Sequence, residues 1–467
     1  MATHELETDY LIAGSGAVGM AFADVLVDET DADMIIVDAH ARPGGHWNDA
    51  YPFVTLHQPS AFYGVSSRAL GQDRVDRDGL NAGLGELATG AEVSAYFEDV
   101  MRHHLLPSGR VRYFPMCTFD GTDRFRSKLG GDEFRVSVRK RVVDATWLKT
   151  SVPSTHTPSF SIDAGVRFMP LNDLPTVTTA PAGYVVVGGG KTAIDACLWL
   201  LANGVDADAI TWIVPRDGWL IPRENTQPRA EHFFATMGAQ AAQMEAAAAA
   251  TSIADLFARL EAAGVLVRLD PDVTPKMFHA ATISRPELEA LRAIRNVVRM
   301  GRVTHLGADE IRLEEGRIPT SLAHVHVDCS ARAIPAGAPK TVFDGRLITP
   351  QTVRAYQPAF SAAFIAHVEA AYDDDALRNE LCGVVPLPNH DVDWLPLTVA
   401  NMMNMGRWSQ DKDLQAWLAG NRLNGFTQLA KLATPDDAEK QAVMQRLRGA
   451  IMPAMGNLMK LMAAEAG

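Results

Sequence analysis

Two short stretches of the chain have residue types and spacing suited to holding phosphates. Gly14-Ser15-Gly16-Ala17-Val18-Gly19 fits G-x-G-x-x-G, and Gly188-Gly189-Gly190-Lys191-Thr192-Ala193 fits G-x-G-x-x-A. In such a run the first glycine allows a tight turn. The second lets backbone approach a pyrophosphate seated on the following helix N-terminus, and the small third residue lets helix and strand pack closely. Asp38 follows the first turn at the distance from which an acid reaches a ribose hydroxyl. The second turn has no such acid; its next apolar run ends in Val214-Pro215-Arg216. An acid there would repel a ribose 2′-phosphate, whereas an arginine pairs with it in a fork. The second turn is therefore expected to take NADPH rather than NADH through Gly188, Gly190, Lys191, Thr192 and Arg216. Asp217, beside Arg216, is an opposing charge.

The elements that must position these turns are legible as two repeats of one layout. Tyr10–Ala13 is an apolar run, a helical pattern follows to Val27, and Met34–Val37 is a second apolar run. That is strand, turn, helix, strand. The layout restarts with Tyr184–Val187, a helix over Thr192–Ala202 and a strand over Ile210–Val214. The Pro-, Ser- and Thr-rich stretch 150–182 reads as a connector. Ala241–Ala250 has high helix propensity and sits in a long helical stretch ending near Arg299. The fold class expected is α/β: two Rossmann-like dinucleotide-binding domains, a helical insertion and a helical C-terminal region. The expected divisions are 1–172 for the first domain and 173–318 for the second, with the insertion at about 217–300. The first domain returns over 319–372, and helices fill 373–467. Methionines on those helices, such as Met402, Met403 and Met405, are expected to fill the core.

Composition narrows the function classes. The chain has 467 residues, 47% apolar and 21% charged, with net charge -13. That charge disfavours a nucleic-acid partner, which is held by clustered Lys and Arg. Cys117, Cys197, Cys329 and Cys382 are far apart, so neither a metal knuckle nor a local redox pair is expected. The acidic start and the lack of a long apolar run predict neither a signal peptide nor a membrane span. A cytoplasmic location follows from these features. Oligomeric state stays open between monomer and homo-oligomer.

Arg42-Pro43-Gly44-Gly45-His46-Trp47 adds a second glycine pair just after the acid. Paired glycines there let backbone pass close to a ligand larger than a nicotinamide, and Trp47 is placed to pack near its ring system. Here the sequence resembles the flavin-dependent monooxygenases of the FMO and Baeyer–Villiger type. Tyr51-Pro52 and Leu56-His57-Gln58-Pro59-Ser60 are similar to that family's flavin-proximal loop. The resemblance implies FAD in the first domain, at Gly14, Gly16, Ala17, Gly19, Asp38, Arg42, Gly45, His46 and Trp47. It places His57 or Gln58 nearest the reactive edge. His156-Thr157-Pro158-Ser159-Phe160 keeps half of the family's linker signature, F-x-G-x-x-x-H-x-x-x-Y/F. Val143–Trp147 and Val327–Ala331 are similar to the A-T-G segments where the chain crosses between domains, without their glycine. The resemblance implies hydride transfer from NADPH to FAD, then O2 activation at the flavin C4a position and insertion of one oxygen atom into a small organic substrate. Two alternatives share these sites: a flavin reductase or dehydrogenase serving another acceptor, and a non-catalytic redox-sensing flavoprotein.

Overall fold

Apolar runs covered on both faces form parallel strands, and two such sheets organise the molecule. The computed structural model describes residues 2–148, 150–332 and 339–466. The first sheet runs in spatial order 343–344, 347–348, 133–144, 3–13, 34–37 and 111–114. The strands Thr3–Ala13, Met34–Val37, Val111–Phe114, Glu133–Asp144 and Leu347–Ile348 are mutually parallel along it. All four residues of Met34–Val37 are buried. The helix Ala17–Glu29 covers one face, and Pro358–Ala371 packs against it. Phe22, Val25, Phe360 and Phe364 share the resulting core.

The second sheet runs 297–298, 210–213, 183–187, 324–328, 168–170, and all its pairings are parallel. Val187 pairs with both Ile213 and Asp328, so three strands end on one edge. That carboxyl edge is where open α/β sheets bind ligands.

The expected fold class is the observed one, with three differences. Phe168–Pro170 and His324–Asp328 pair in the second sheet, although the division at 172 and 319 assigns them to the first domain. The chain instead leaves the first sheet at Asp144 and returns after Asp328, at the crossing segments that the resemblance marked. The insertion is not wholly helical. Gly218–Pro222 and Met277–Ile283 form a two-stranded parallel sheet beside the helices Phe233–Ala249, Ile253–Ala262 and Arg285–Arg292. Its register slips between Trp219 and Ile221, and Ala280 there has φ of 55°. Finally, Met403 and Met405 are 45% and 49% exposed, so only part of the methionine stripe is core.

Candidate functional site

The first glycine turn has the close contacts that its residue types require. A Cβ on Gly19 would lie 1.9 Å from the Gly14 carbonyl oxygen, so helix and strand touch there. The helix that follows has no side-chain cap and no acid in its first turn. Its first amides are therefore left for an anion, which suits a pyrophosphate. Gly45 has φ of 57°, and a Cβ on it would come within 2.9 Å of Gly16 Cα. The second glycine pair thus has a reason inside the chain: the loop lies directly on the turn.

Asp38 is buried and engaged. Its Oδ2 accepts from the Ser15 amide at 2.5 Å and the Ser15 hydroxyl at 2.8 Å. Its Oδ1 accepts from the His40 amide and faces His40 Nδ1, both at 2.8 Å. His40 Nε2 lies 2.8 Å from Asp49 Oδ2. Burial alone would raise the Asp38 carboxyl; the bonds from His40 and Ser15 outweigh it and hold the group low. Asp38 therefore braces the turn through Ser15 and His40. Arg42 is exposed and donates to Asn48 at 3.2 Å. His46 is also exposed and stacks on Trp47, whose Nε1 donates to the Tyr63 hydroxyl at 2.8 Å.

The second turn opens on a cavity of about 850 Å³. A Cβ on Gly188, at φ of 140°, would meet the Cys329 carbonyl oxygen at 2.4 Å, so the crossing chain closes that side. Gly190 differs: a Cβ there meets nothing within 4 Å. The helix it begins, Lys191–Ala202, has neither a side-chain cap nor an acid in its first turn. This is an anion cradle facing empty space, and it fits a dinucleotide's pyrophosphate. Lys191 and Thr192 line the same cavity. The Lys191 ammonium pairs with Asp195, which accepts from the Tyr51 hydroxyl at 2.6 Å.

Arg216, Arg302 and Arg332 converge on the cavity rim. Burial, then the charges of Arg302 and Arg332, lower the Arg216 pKa. Asp217, the opposing charge, turns away: Arg299 grips both of its oxygens at 2.9 and 3.1 Å. Sequence reading found Arg216 and missed the other two rim arginines, because Arg302 follows an edge strand and Arg332 follows the second crossing.

The cavity also reaches the first domain. His57 lines it, together with Gln351 and Thr352 of the returning segment. Burial, with the charges of Lys191 and Arg223, pushes the His57 imidazole well below its ordinary range, so the ring is neutral near pH 7. Arg223 donates to the His57 carbonyl at 3.0 Å, to Asn81 Oδ1 at 2.9 Å and to Glu287 Oε2 at 2.7 Å, fixing the loop. Gln58 is not among the cavity-lining residues. His156 is, and its Nε2 lies 3.3 Å from the Ser330 hydroxyl.

Both crossings are closed by one device. Asp144 Oδ1 accepts from the Thr146 amide and hydroxyl at 3.0 and 2.6 Å. Asp328 Oδ1 accepts from the Ser330 amide and hydroxyl at 2.9 and 2.6 Å. The first of these side-chain turns directly precedes Trp147, which stands where the resemblance leads one to expect glycine.

No protein-family model matches the chain. The uncharacterized protein Rv2000 of Mycobacterium tuberculosis (strain ATCC 25618 / H37Rv) is 47% identical over 459 residues, covering 98% of this chain and 85% of that protein. Mb2023 of Mycobacterium bovis matches to the same extent. Among solved structures, cyclohexanone monooxygenase in an open state superposes with a TM-score of 0.50 at 13% identity, over 93% of this chain and 99% of that one. Its ε-caprolactone-bound form gives 0.50 at 13% identity over 92% and 99%. The chain therefore belongs to one family with the mycobacterial proteins Rv2000 and Mb2023, and it carries the two-Rossmann-domain fold seen in cyclohexanone monooxygenase.

Proposed function

We propose that the chain is an NADPH-dependent, FAD-containing monooxygenase that adds one oxygen atom from O2 to a small organic substrate. One observation carries this reading: the cradle at Gly190, with arginines on its rim, opens into a cavity that His57 of the other domain also walls. A nucleotide held there by phosphate contacts lies against the loop that the resemblance sets beside a flavin. FAD, bound at the first turn, supplies the hydride acceptor and the oxygen chemistry. The chain's own residues bind, orient and exclude water. The Lys191–Ala202 helix N-terminus receives the pyrophosphate, and the rim arginines receive a 2′-phosphate. His57, neutral and held by Arg223, offers a hydrogen-bonding ring to the reacting region.

A flavin reductase is the second reading, favoured by the incomplete linker, where Thr150 and Val152 replace the signature's Phe and Gly. One experiment separates the two. The FAD-loaded protein is reduced anaerobically with NADPH, then mixed with O2 and panels of amines, sulfides and ketones. A monooxygenase yields oxygenated product in proportion to NADPH consumed. Oxidation of NADPH with a quinone acceptor and no oxygenated product would overturn the proposal in favour of the reductase.

A further inference from the structure

The rim of the nucleotide cavity is completed by a residue from the far end of the chain. Asn389 lies in the segment between the helices Asp375–Leu381 and Trp394–Trp408. Its Oδ1 accepts from Arg216 Nη2 at 2.9 Å. The same oxygen lies 3.2 Å from His279 Nε2, on the insertion strand. One carbonyl oxygen with two lone pairs thus ties together the second domain, the insertion and the C-terminal region. The position of Asn389 is itself fixed. Its amide and that of His390 both donate to Asp393 Oδ2, at 2.9 and 2.7 Å, and His390 bridges to Met277 on the insertion strand.

We infer that Asn389 is a specificity-determining residue: it aims the Arg216 guanidinium at the 2′-phosphate of the nucleotide. This rests on the NADPH reading of the second turn. The chemistry explains why a carboxamide stands there. A carboxylate would hold Arg216 more tightly, but it would cancel the charge that a phosphate must meet. A neutral acceptor orients the guanidinium and leaves its charge intact. Arg302 and Arg332 keep the surroundings positive, and Asp217 is withdrawn by Arg299. The long insertion and the C-terminal segment therefore serve nucleotide recognition at this rim, through His279 and Asn389.

The test compares the full-length protein with Arg216→Ala, Asn389→Ala and Asn389→Asp. Dissociation constants are measured for NADPH, NADH and adenosine 2′-monophosphate, alongside thermal midpoints. Arg216→Ala is expected to collapse the NADPH-over-NADH preference. Asn389→Ala should lower it about five- to tenfold, the scale of one net intramolecular hydrogen bond. Asn389→Asp should lower it at least as far and weaken adenosine 2′-monophosphate in parallel, while its thermal midpoint holds or rises. A merely structural Asn389 predicts the reverse for that variant: a firmer contact and an intact preference. If Arg216→Ala lowers the preference and both Asn389 variants keep it, the inference fails and the NADPH reading stands. If Arg216→Ala leaves the preference unchanged, the NADPH reading fails and the inference falls with it.

Discussion

His40 stands between the carboxylates of Asp38 and Asp49, both 2.8 Å away. The hydrogen bond to Asp38, opposed by burial and helped by Asp49, pushes its pKa up to about 9. Folding therefore binds this proton more tightly than the unfolded chain does, where imidazole titrates near about 6.5. The stabilisation is complete below that value and is lost as pH rises through about 9. Urea midpoints of the protein and His40→Gln, taken from pH 6 to 10, should converge as pH rises. A gap that stays constant across that interval would refute the role. Residue types at these positions were legible; their partners were less so. Asp38 was visible as an acid after a strand, but nothing in the pattern showed that His40 and Ser15 would use up its oxygens. Asp217 was visible as a charge beside Arg216, and only the fold brought Arg299 to it from across the domain.

Arg223 acts at the scale of elements. It is 0% exposed, and it joins the His57 loop, the Asn81 turn and the helix bearing Glu287. Methionine in its place keeps the bulk and strands a buried carboxylate. The expected loss is about 3–5 kcal/mol, as for breaking one side of a buried pair. Adding Glu287→Gln should restore part of it. Urea unfolding of the single and double variants is the measurement, and a loss below about 1 kcal/mol for the single change would show the network to be dispensable. The glycine-turn strands and helices were readable because each is a continuous apolar run or a 3.6-residue pattern. Met277–Ile283 was not. Its sequence Met-Phe-His-Ala-Ala-Thr-Ile has no clean alternation, its partner lies about sixty residues earlier, and a bulge interrupts the pairing. A signal was nevertheless present at three strand ends. Asp38-Ala39-His40, Asp144-Ala145-Thr146 and Asp328-Cys329-Ser330 each place an acid two residues before a hydrogen-bonding side chain that it then binds.

At the scale of the molecule, the first domain is made of two distant pieces. Its returning helix Pro358–Ala371 buries Phe360, Phe364, Ile365 and Val368 completely. Each such side chain contributes roughly 1.5–3 kcal/mol, so the four supply on the order of 6–12 kcal/mol. Domain stability is itself about 5–15 kcal/mol. A chain stopped after residue 332 should therefore fail to fold its first domain, although the strands 3–144 are all present. Its soluble yield and dye binding to exposed apolar surface are the readouts. A soluble, cooperatively unfolding fragment would contradict this. The doubled layout was legible in the sequence, and so were the crossing segments. The domain limits were less so, because Phe168–Pro170 and His324–Asp328 are short runs whose sheet is decided by neighbours far along the chain.

That interrupted first domain has a consequence for the order of events on the ribosome. The helix Ala17–Glu29 emerges early, yet the surface that covers it is encoded beyond residue 358. Throughout translation of the intervening second domain, Phe22 and Val25 lack their final cover. The nascent chain thus carries an adhesive face for most of its elongation time, at about 5–20 residues per second. The second domain's sheet needs only residues 168–328, so it is complete first. Nascent-chain chaperone demand should therefore peak before residue 358 is translated and end once the helix Pro358–Ala371 has left the exit tunnel.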